Sequence, residues 1–234
     1  MLTGRKMEKL SALKAELQAV YPMLECHYYA VNLAEEGERK ALMDWILSGK
    51  YTLFLLANVA GVDIQKGVEA YTQEKVSLQC RVNLEAAVDL CRFAIQHRGE
   101  ALEIVNVSSV SGIYPMPYFA IYSATKSALT SFSISLREEM KGQNVSVTVV
   151  LPGAMPTRAD IRKQIEGQGL WGKLAVMSPE VVAKQSLKAV HKNKRKLIVG
   201  FWNRLMRIGT CLLPTSWRLA FIANRWKKIT KDAF

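Results

Sequence analysis

The sequence predicts an α/β fold, a doubly wound parallel sheet with helices on both faces. Segments with helical periodicity alternate with short apolar runs rich in β-branched residues, which is the pattern of β–α–β units. A polar cluster also follows each of three predicted strands, at Asn58–Gly61, Ser108–Gly112 and Pro152–Thr157. Ligands bind at the carboxyl ends of the strands in such folds, so these clusters mark a candidate site.

The spacing of apolar residues and the positions of capping residues predict the individual elements. Leu10, Leu13 and Leu17 recur at helical spacing and predict a helix from about Lys6 to Ala19. Ser178 is a suitable N-cap for a helix that has Pro179 at its first position. The other predicted elements are strands at Glu25–Val31, Tyr51–Ala57, Ala101–Val107, Val145–Leu151 and Lys196–Gly200, and helices at Glu35–Leu47, Thr72–His97 and Ile121–Lys141. The continuous apolar run Tyr51–Ala57 is typical of a strand covered on both faces.

Composition excludes several classes of protein. Half of the 234 residues are hydrophobic and 22% are charged, which is typical of a globular chain. The four cysteines are far apart and form no CxxC or other metal-ligand pattern, so we expect neither a disulfide scaffold nor a metal site. The N-terminus lacks the apolar core of a signal peptide, and no apolar run is long enough to span a bilayer. These features predict a cytoplasmic protein.

The positive charge is concentrated at the C-terminus. Residues 184–234 contain 13 Lys or Arg and one acid, whereas residues 1–183 contain 19 basic and 19 acidic residues. We predict a domain over residues 1–200 and a basic helical extension over 201–234, broken by Pro214. Its predicted apolar stripes are Phe201, Leu205, Ile208 and Leu212, then Leu219, Ile222, Trp226 and Ile229. These stripes suit either an anionic membrane surface or packing on the domain. We expect no nucleic-acid partner.

Tyr122 and Lys126 carry the strongest chemical signal. Residues four apart lie on the same side of a helix. An ammonium beside a phenol favours the phenolate, so we expect Lys126 to lower the pKa of Tyr122 and make it a general acid or base. Ser109 stands 13 residues before Tyr122, at the end of a predicted strand, where its hydroxyl can hold a carbonyl oxygen.

These residues resemble the marks of the short-chain dehydrogenase/reductase family. The matching marks, in order, are Asn58-Val-Ala-Gly61, Asn83, Ser109, the Tyr122–Lys126 pair and Pro152-Gly-Ala-Met-Pro-Thr157. The resemblance runs from residue 1 to about residue 200. It implies a Rossmann-like fold, an NAD(P)-dependent oxidoreductase that interconverts a ketone and a secondary alcohol, and a homo-oligomer.

The resemblance also implies a role for each matching residue. Tyr122 is the implied acid/base, Lys126 binds the nicotinamide ribose, Ser109 orients the carbonyl, and Asn83 positions a water in a proton relay. Asn83 has an alternative as an ordinary polar helix residue, and Ser108 or Ser111 can take the place of Ser109. The implied cofactor contacts are Arg5, Asn32, Asn58, Ala60, Gly61, Tyr122, Lys126, Pro152, Gly153 and Thr157.

The chain departs from the family pattern at its N-terminus. It lacks the strand and Thr-Gly-x-x-x-Gly-x-Gly turn that hold the cofactor pyrophosphate, so we expect about thirty residues to be missing and NADP(H) binding to be weak. Arg5 follows the next strand, where a guanidinium can bind the 2′-phosphate of NADP, so NADP is favoured over NAD. Asn32 stands where the family often has an adenine-binding Asp.

Two classes of function remain open. The first is a reductase or dehydrogenase acting on an apolar carbonyl, such as a 3-oxoacyl chain, a steroid or another lipid-like ketone. Its expected pocket is lined by Ile113–Tyr118 and by Leu170, Trp171, Leu174 and Met177. The second is a non-catalytic relative that acts as a binding or membrane-surface protein, as the missing cofactor motif suggests.

Overall fold

Parallel strands and helices alternate along the chain, as the sequence predicts. The computed structural model describes residues 1–156, 176–211 and 213–227, with the backbone alone at residue 211. The chain divides into two units, Met1–Thr52 and Leu53–Phe234. The predicted boundary near residue 200, between a domain and a helical extension, stays a prediction.

The first unit contains two strands and two helices. Strand β1 (Leu2–Gly4) pairs in parallel with β2 (Tyr28–Ala30), and helices α1 (Met7–Val20) and α2 (Glu36–Ser48) follow the two strands. Leu10 is the buried residue of α1, whereas Leu13 is exposed. A parallel strand–helix–strand unit therefore forms from these residues, with both strands shorter than a typical strand.

The second unit contains a four-stranded parallel sheet in the order β3-β4-β5-β6. Its strands are β3 (Leu53–Asn58), β4 (Arg98–Val107), β5 (Val145–Leu151) and β6 (Lys196–Ile198). Its helices are α3 (Gln73–Cys80), α4 (Ala86–Gln96), α5 (Ala120–Glu139), α6 (Pro179–His191), α7 (Phe201–Cys211) and α8 (Thr215–Trp226). A π-helical turn, Arg81–Glu85, joins α3 to α4, so the predicted helix over residues 72–97 is continuous but contains one wider turn.

Two apolar clusters place helices on both faces of this sheet. One cluster joins Ile104 and Val147 of the sheet to Cys91 of α4 and Leu136 of α5. The other joins Val105 and Val150 to Val182 and Val190 of α6. Successive strand residues point to opposite faces, so neighbouring residues of β4 enter different clusters. The doubly wound parallel α/β fold predicted from the sequence is confirmed.

The prediction that both faces of the Tyr51–Ala57 strand are covered is wrong. Phe54 is 73% exposed and Leu55 is 37% exposed. Leu53 and Leu56 pack against the cluster formed with α4 and α5, whereas Phe54 and Leu55 do not. Among the described residues, β3 pairs with β4 alone and lies at the edge of the four-stranded sheet. An apolar run thus identified the strand but not its degree of burial.

The C-terminal helices form where the sequence predicts them. Pro214 precedes α8 and serves as its N-cap residue, without the side-chain cap expected from Thr215 or Ser216. Phe201, Leu205 and Ile208 of the first predicted stripe are exposed. In the second stripe Leu219, Ile222 and Trp226 are partly buried, while the exposed apolar residues of this region are Leu213, Trp217 and Phe221. Leu212 and Ile229 lie outside the described residues.

Within the described ranges, no helix has the length and hydropathy of a transmembrane segment.

Asn106 forms a buried polar network at the centre of the sheet. It lies in β4 with its side chain fully buried, and its Oδ1 accepts a hydrogen bond from Asn58 Nδ2 at 2.8 Å. Its Nδ2 donates to Ser133 Oγ of α5 at 2.9 Å. Because buried polar groups must be paired, these bonds align β3, β4 and α5.

Asn106→Ala is expected to lower the free energy of unfolding by about 2–3 kcal/mol, because it leaves the amide of Asn58 and the hydroxyl of Ser133 without this partner. Urea denaturation followed by circular dichroism measures the change. Asn224→Ala, on the exposed side of α8, is the control and is expected to change stability by less than about 0.5 kcal/mol. Equal stability of the two variants would contradict a structural role for the network.

Candidate active site

Helix α5 brings Tyr122 and Lys126 to the carboxyl end of β4. The Lys126 side chain is 3% exposed, and its Nζ donates a hydrogen bond to the carbonyl oxygen of Val107 at 3.0 Å. The same Nζ lies 5.8 Å from the centroid of the Tyr122 ring. The four-residue spacing therefore places both side chains at one end of the sheet, with the ammonium held against the strand end.

The three serines after β4 have different surroundings. The Ser109 side chain acts on the Tyr122 phenol and lowers its pKa. Ser108 is buried, and its Oγ donates to the main-chain oxygen of Lys126 at 2.8 Å. The Oγ of Ser111 is buried and has no hydrogen-bond partner among the described residues. Ser109 is therefore the serine whose side chain acts on the phenol, and Ser108 attaches α5 to the sheet.

Asn83 holds the loop that follows β3. It lies at the centre of the π-helical turn, its Oδ1 accepts from the Val62 N–H at 2.7 Å, and its Nδ2 donates to the Val62 carbonyl oxygen at 2.9 Å. Its Nδ2 also lies 3.1 Å from Thr125 Oγ1 of α5. The side chain is thus engaged by the loop and by α5, and its role as a water-positioning residue stays a prediction.

The loop itself presents backbone beside Lys126. Gly61 is exposed, and a Cβ at this position would lie 3.3 Å from Lys126 Nζ and 3.5 Å from Asn83 Oδ1. Ala60 is also exposed. The Asn58 side chain, by contrast, is directed into the sheet, with its Nδ2 bonded to Asn106. Asn58 can therefore contact a cofactor through its backbone only.

The third polar cluster starts at the end of β5. The Pro152 carbonyl oxygen accepts from the Val110 N–H at 3.0 Å, which joins this cluster to the turn that contains Ser109. Gly153 is partly buried. Thr157, the remaining cofactor contact predicted here, lies outside the described residues.

Two predicted cofactor contacts belong to the first unit. Arg5 is exposed directly after β1. The Asn32 Oδ1 accepts from the Ala34 N–H at 3.2 Å, and the Asn32 N–H donates to Glu38 Oε2 at 2.6 Å. Asn32 therefore stabilises the turn that leads into α2, and its contact with an adenosine stays a prediction.

Comparison with known proteins places the chain in a family. The family model described as short chain dehydrogenase matches residues 1–166. The chain belongs to the short-chain dehydrogenase family. It is similar to a 3-ketodihydrosphingosine reductase of Bacteroides thetaiotaomicron, with 32% identity over 129 residues that cover 54% of this chain and 48% of the relative. The chain spans 66% and 48% of the lengths of the first two curated relatives it matches.

Solved structures show the same fold. A 7β-hydroxysteroid dehydrogenase superposes with a TM-score of 0.78 at 20% identity, covering 94% of this chain and 85% of that one. L-sorbose reductase from Gluconobacter frateurii, complexed with NADPH and L-sorbose, superposes with a TM-score of 0.75 at 22% identity, covering 85% and 84% of the two chains. The Rossmann-like architecture of this short-chain dehydrogenase is therefore confirmed.

The pKa values of Tyr122 and Lys126 differ from what the sequence predicts. Loss of hydration raises the pKa of the Tyr122 phenol above its usual value, and the nearby Asp63 carboxylate raises it further. The hydrogen bond with Ser109 acts in the opposite direction and is the smaller effect. Burial lowers the pKa of Lys126 to about 8, although Asp63 opposes this shift. The prediction of a lowered Tyr122 pKa is therefore wrong, because desolvation, the largest effect, raises this pKa.

Sequence reasoning missed three features of the candidate site. Asp63 follows Gly61 by two residues, so its place beside a predicted polar cluster was the available signal. Phe119 stacks on the Tyr122 ring with centroids 4.3 Å apart, and no residue pattern indicated this contact. Gly112 is a third constraint, since a Cβ there would lie 2.8 Å from the Lys126 carbonyl oxygen.

The lowered pKa of Lys126 predicts a pH dependence of stability. Between about pH 8 and the usual lysine pKa near 10.5, the unfolded chain binds more protons than the folded one. The free energy of unfolding should therefore rise with pH through this window. Below about pH 8 Lys126 is protonated in both states, so it adds no pH dependence there. Urea denaturation of the wild type and of Lys126→Met at several pH values tests this.

The rise between about pH 8 and 10 is expected to be smaller in Lys126→Met, which has no titrating group at this position. Lys188→Met, on the exposed surface of α6, is the matched control and should keep the wild-type slope. A wild-type slope retained in Lys126→Met would show that the ammonium keeps its ordinary pKa.

Proposed function

We propose that this protein is an NADP-dependent oxidoreductase that interconverts a ketone and a secondary alcohol. The observation that carries the proposal is the convergence of Ser109, Tyr122 and Lys126 at the carboxyl end of β4, in a chain of the short-chain dehydrogenase family. A hydroxyl, a phenol and a buried amine together supply the proton transfer and carbonyl orientation that this reaction needs.

The residues around Lys126 fit a dinucleotide cofactor. Gly61 leaves an exposed space beside the Lys126 amine and the Asn83 amide, which a side chain would fill. The backbone of Asn58–Gly61, Pro152 and Gly153 and the Lys126 amine would hold the nicotinamide end, and Thr157 is the remaining predicted contact there. In the first unit, Arg5 and Asn32 are the predicted adenosine contacts, with Arg5 favouring NADP over NAD. When bound, the cofactor supplies or accepts the hydride.

The phenol of Tyr122 moves the proton. Because burial raises its pKa, Tyr122 is protonated at neutral pH and can donate its proton to the carbonyl oxygen of a ketone. Ser109, on the same phenol, donates a hydrogen bond to that oxygen and fixes its position. Lys126 stabilises the negative charge left on the phenol, and Asn83 keeps the neighbouring loop in place.

We propose an apolar carbonyl as substrate. Ile113 and the segment up to Tyr118 separate Ser109 from Tyr122, and most of this segment is apolar or aromatic. Met177 is partly buried near β6 and β5, while Leu170, Trp171 and Leu174 lie outside the described residues. The name of the Bacteroides relative, a 3-ketodihydrosphingosine reductase, supports a lipid-like ketone. We expect the assembled protein to be a homo-oligomer.

Tyr122→Phe is expected to lower ketone reduction by at least about 100-fold in the full-length protein, because the ring is kept while the transferable proton is lost. NADPH oxidation with a 3-oxoacyl thioester as substrate measures the rate. Tyr21→Phe removes a hydroxyl from an exposed tyrosine and should have the wild-type rate. Turnover by Tyr122→Phe above about a hundredth of the wild type would exclude Tyr122 as the proton donor.

A second candidate function is binding to an anionic membrane surface through residues 201–234. The specific observation is a group of exposed apolar side chains on α7, α8 and their connection: Phe201, Trp202, Leu205, Ile208, Leu213, Trp217 and Phe221. The surrounding charge is basic, since residues 184–234 contain 13 Lys or Arg and one acid. Exposed aromatic rings beside cations suit the interface of an anionic bilayer.

Replacing both Trp217 and Phe221 by Ser is expected to weaken binding to anionic vesicles by at least about tenfold, because two large rings no longer enter the interface. Sedimentation with phosphatidylglycerol-containing and with pure phosphatidylcholine vesicles, at low and high salt, measures this. Leu187→Ser on α6, which is 48% exposed in the wild type, is the control. Equal sedimentation with both vesicle types would exclude an anionic membrane partner. Vesicle binding by a protein without reductase activity would favour the non-catalytic alternative.

A further inference from the structure

The turn that leads into α5 has an unusual backbone. Tyr118 has a φ of 62°, in the left-handed region that bulky residues rarely adopt. The next residue, Phe119, is the N-cap of α5, and its carbonyl oxygen accepts from the Ser123 N–H at 2.9 Å. Such a conformation persists only where the surrounding structure holds it, and it often occurs beside functional residues.

This turn places the Phe119 ring on the Tyr122 ring. The two centroids are 4.3 Å apart and the ring planes differ by 15°. A stack this close restricts rotation of the Tyr122 side chain and covers one side of the phenol with apolar surface. Apolar cover of this kind removes water from a phenol, and loss of hydration is the largest cause of the raised pKa of Tyr122.

Helix α8 covers the Phe119 ring in turn. Trp226, the last residue of α8, has its ring 6.4 Å from that of Phe119, with a plane angle of 24°. Leu219 of the same helix lines a cavity of about 550 Å³ together with Gly112 and the apolar residues that follow it. Helix α8 therefore contacts the segment that links Ser109 to Tyr122 through Trp226, and through Leu219 it lines the cavity beside that segment.

Helix α7 contacts the same segment. The hydroxyls of Thr210 and Tyr114 are hydrogen-bonded at 3.1 Å. The partly buried side of the two C-terminal helices thus lies on residues 112–119, while Phe201 and Trp217 remain exposed. One ring pair from α8 and one hydrogen bond from α7 therefore reach the same short connection beside the candidate acid/base.

We propose that Phe119 is a positioning residue for the Tyr122 phenol, and that Trp226 holds Phe119 in place. The inference rests on the proposed reductase function, in which Tyr122 donates the proton. The C-terminal helices thereby set the geometry of proton transfer without contacting the reacting atoms. A small displacement of a catalytic group can cost up to about 100-fold in rate, so loss of the stack should lower kcat more than it changes KM.

The stack can be observed without turnover. With 3-fluorotyrosine incorporated at position 122 of the full-length protein, ¹⁹F NMR reports the ring current of Phe119 on this residue. Phe119→Leu and Trp226→Leu are each expected to shift the resonance, whereas Trp226→Phe should restore most of the wild-type position. Phe132→Leu, the same change on α5 at a side chain that packs in the core, is the matched control. An unchanged resonance in Phe119→Leu overturns the inference.

Kinetics test the consequence for the reaction. Phe119→Leu is expected to lower kcat by about tenfold, with KM for a 3-oxoacyl thioester and NADPH affinity changing less than about twofold. The basic limb of the kcat profile should move to lower pH, because the phenol becomes hydrated and its pKa falls. A wild-type kcat and pH profile in Phe119→Leu overturns the positioning role. A wild-type protein without turnover whose resonance still shifts in Phe119→Leu overturns the reductase proposal and supports the stack.

Discussion

The Lys126 amine is buried where α5 meets the end of β4, and much of the site follows from the contacts that this burial requires. A buried amine needs a partner, and the Val107 carbonyl oxygen at the strand end supplies it. Ser108 attaches the helix backbone at the same residue, and Gly112 leaves the space that this close approach needs. Helix and strand are therefore held in one relative position, in which the Ser109 side chain acts on the Tyr122 phenol.

Side-chain amides hold the rest of the site in place. Asn83 pairs with both backbone groups of Val62 and thereby fixes the loop after β3, while Asn106 and Asn58 connect the strands beneath it. Each of these amides would be costly to bury without its partner, so the loops have few alternative arrangements. A backbone that is already fixed can present its N–H groups without reorganisation, which is the condition for binding and for electrostatic catalysis.

The C-terminal helices have two different sides. One side contacts the connection between Ser109 and Tyr122 through Thr210 and Trp226, and the other exposes large apolar side chains near basic residues. Amphipathic helices have this property whenever one stripe packs on protein and the other does not. The same segment therefore supports both the proposed placement of the acid/base and the proposed membrane contact, through separate sets of residues.

The sequence by itself determined the parallel α/β fold, the order of its elements and the end of the sheet where the candidate site lies. These depend on local periodicity, and the spacing from Tyr122 to Lys126 sets their shared side of α5. Only the tertiary structure decided that Ser109 rather than Ser108 faces the phenol, and that Phe119 and Trp226 stack beside it. It also decided the exposure of β3 and the direction of the Tyr122 pKa shift. Burial and contacts between distant residues control these properties, and no local pattern encodes them.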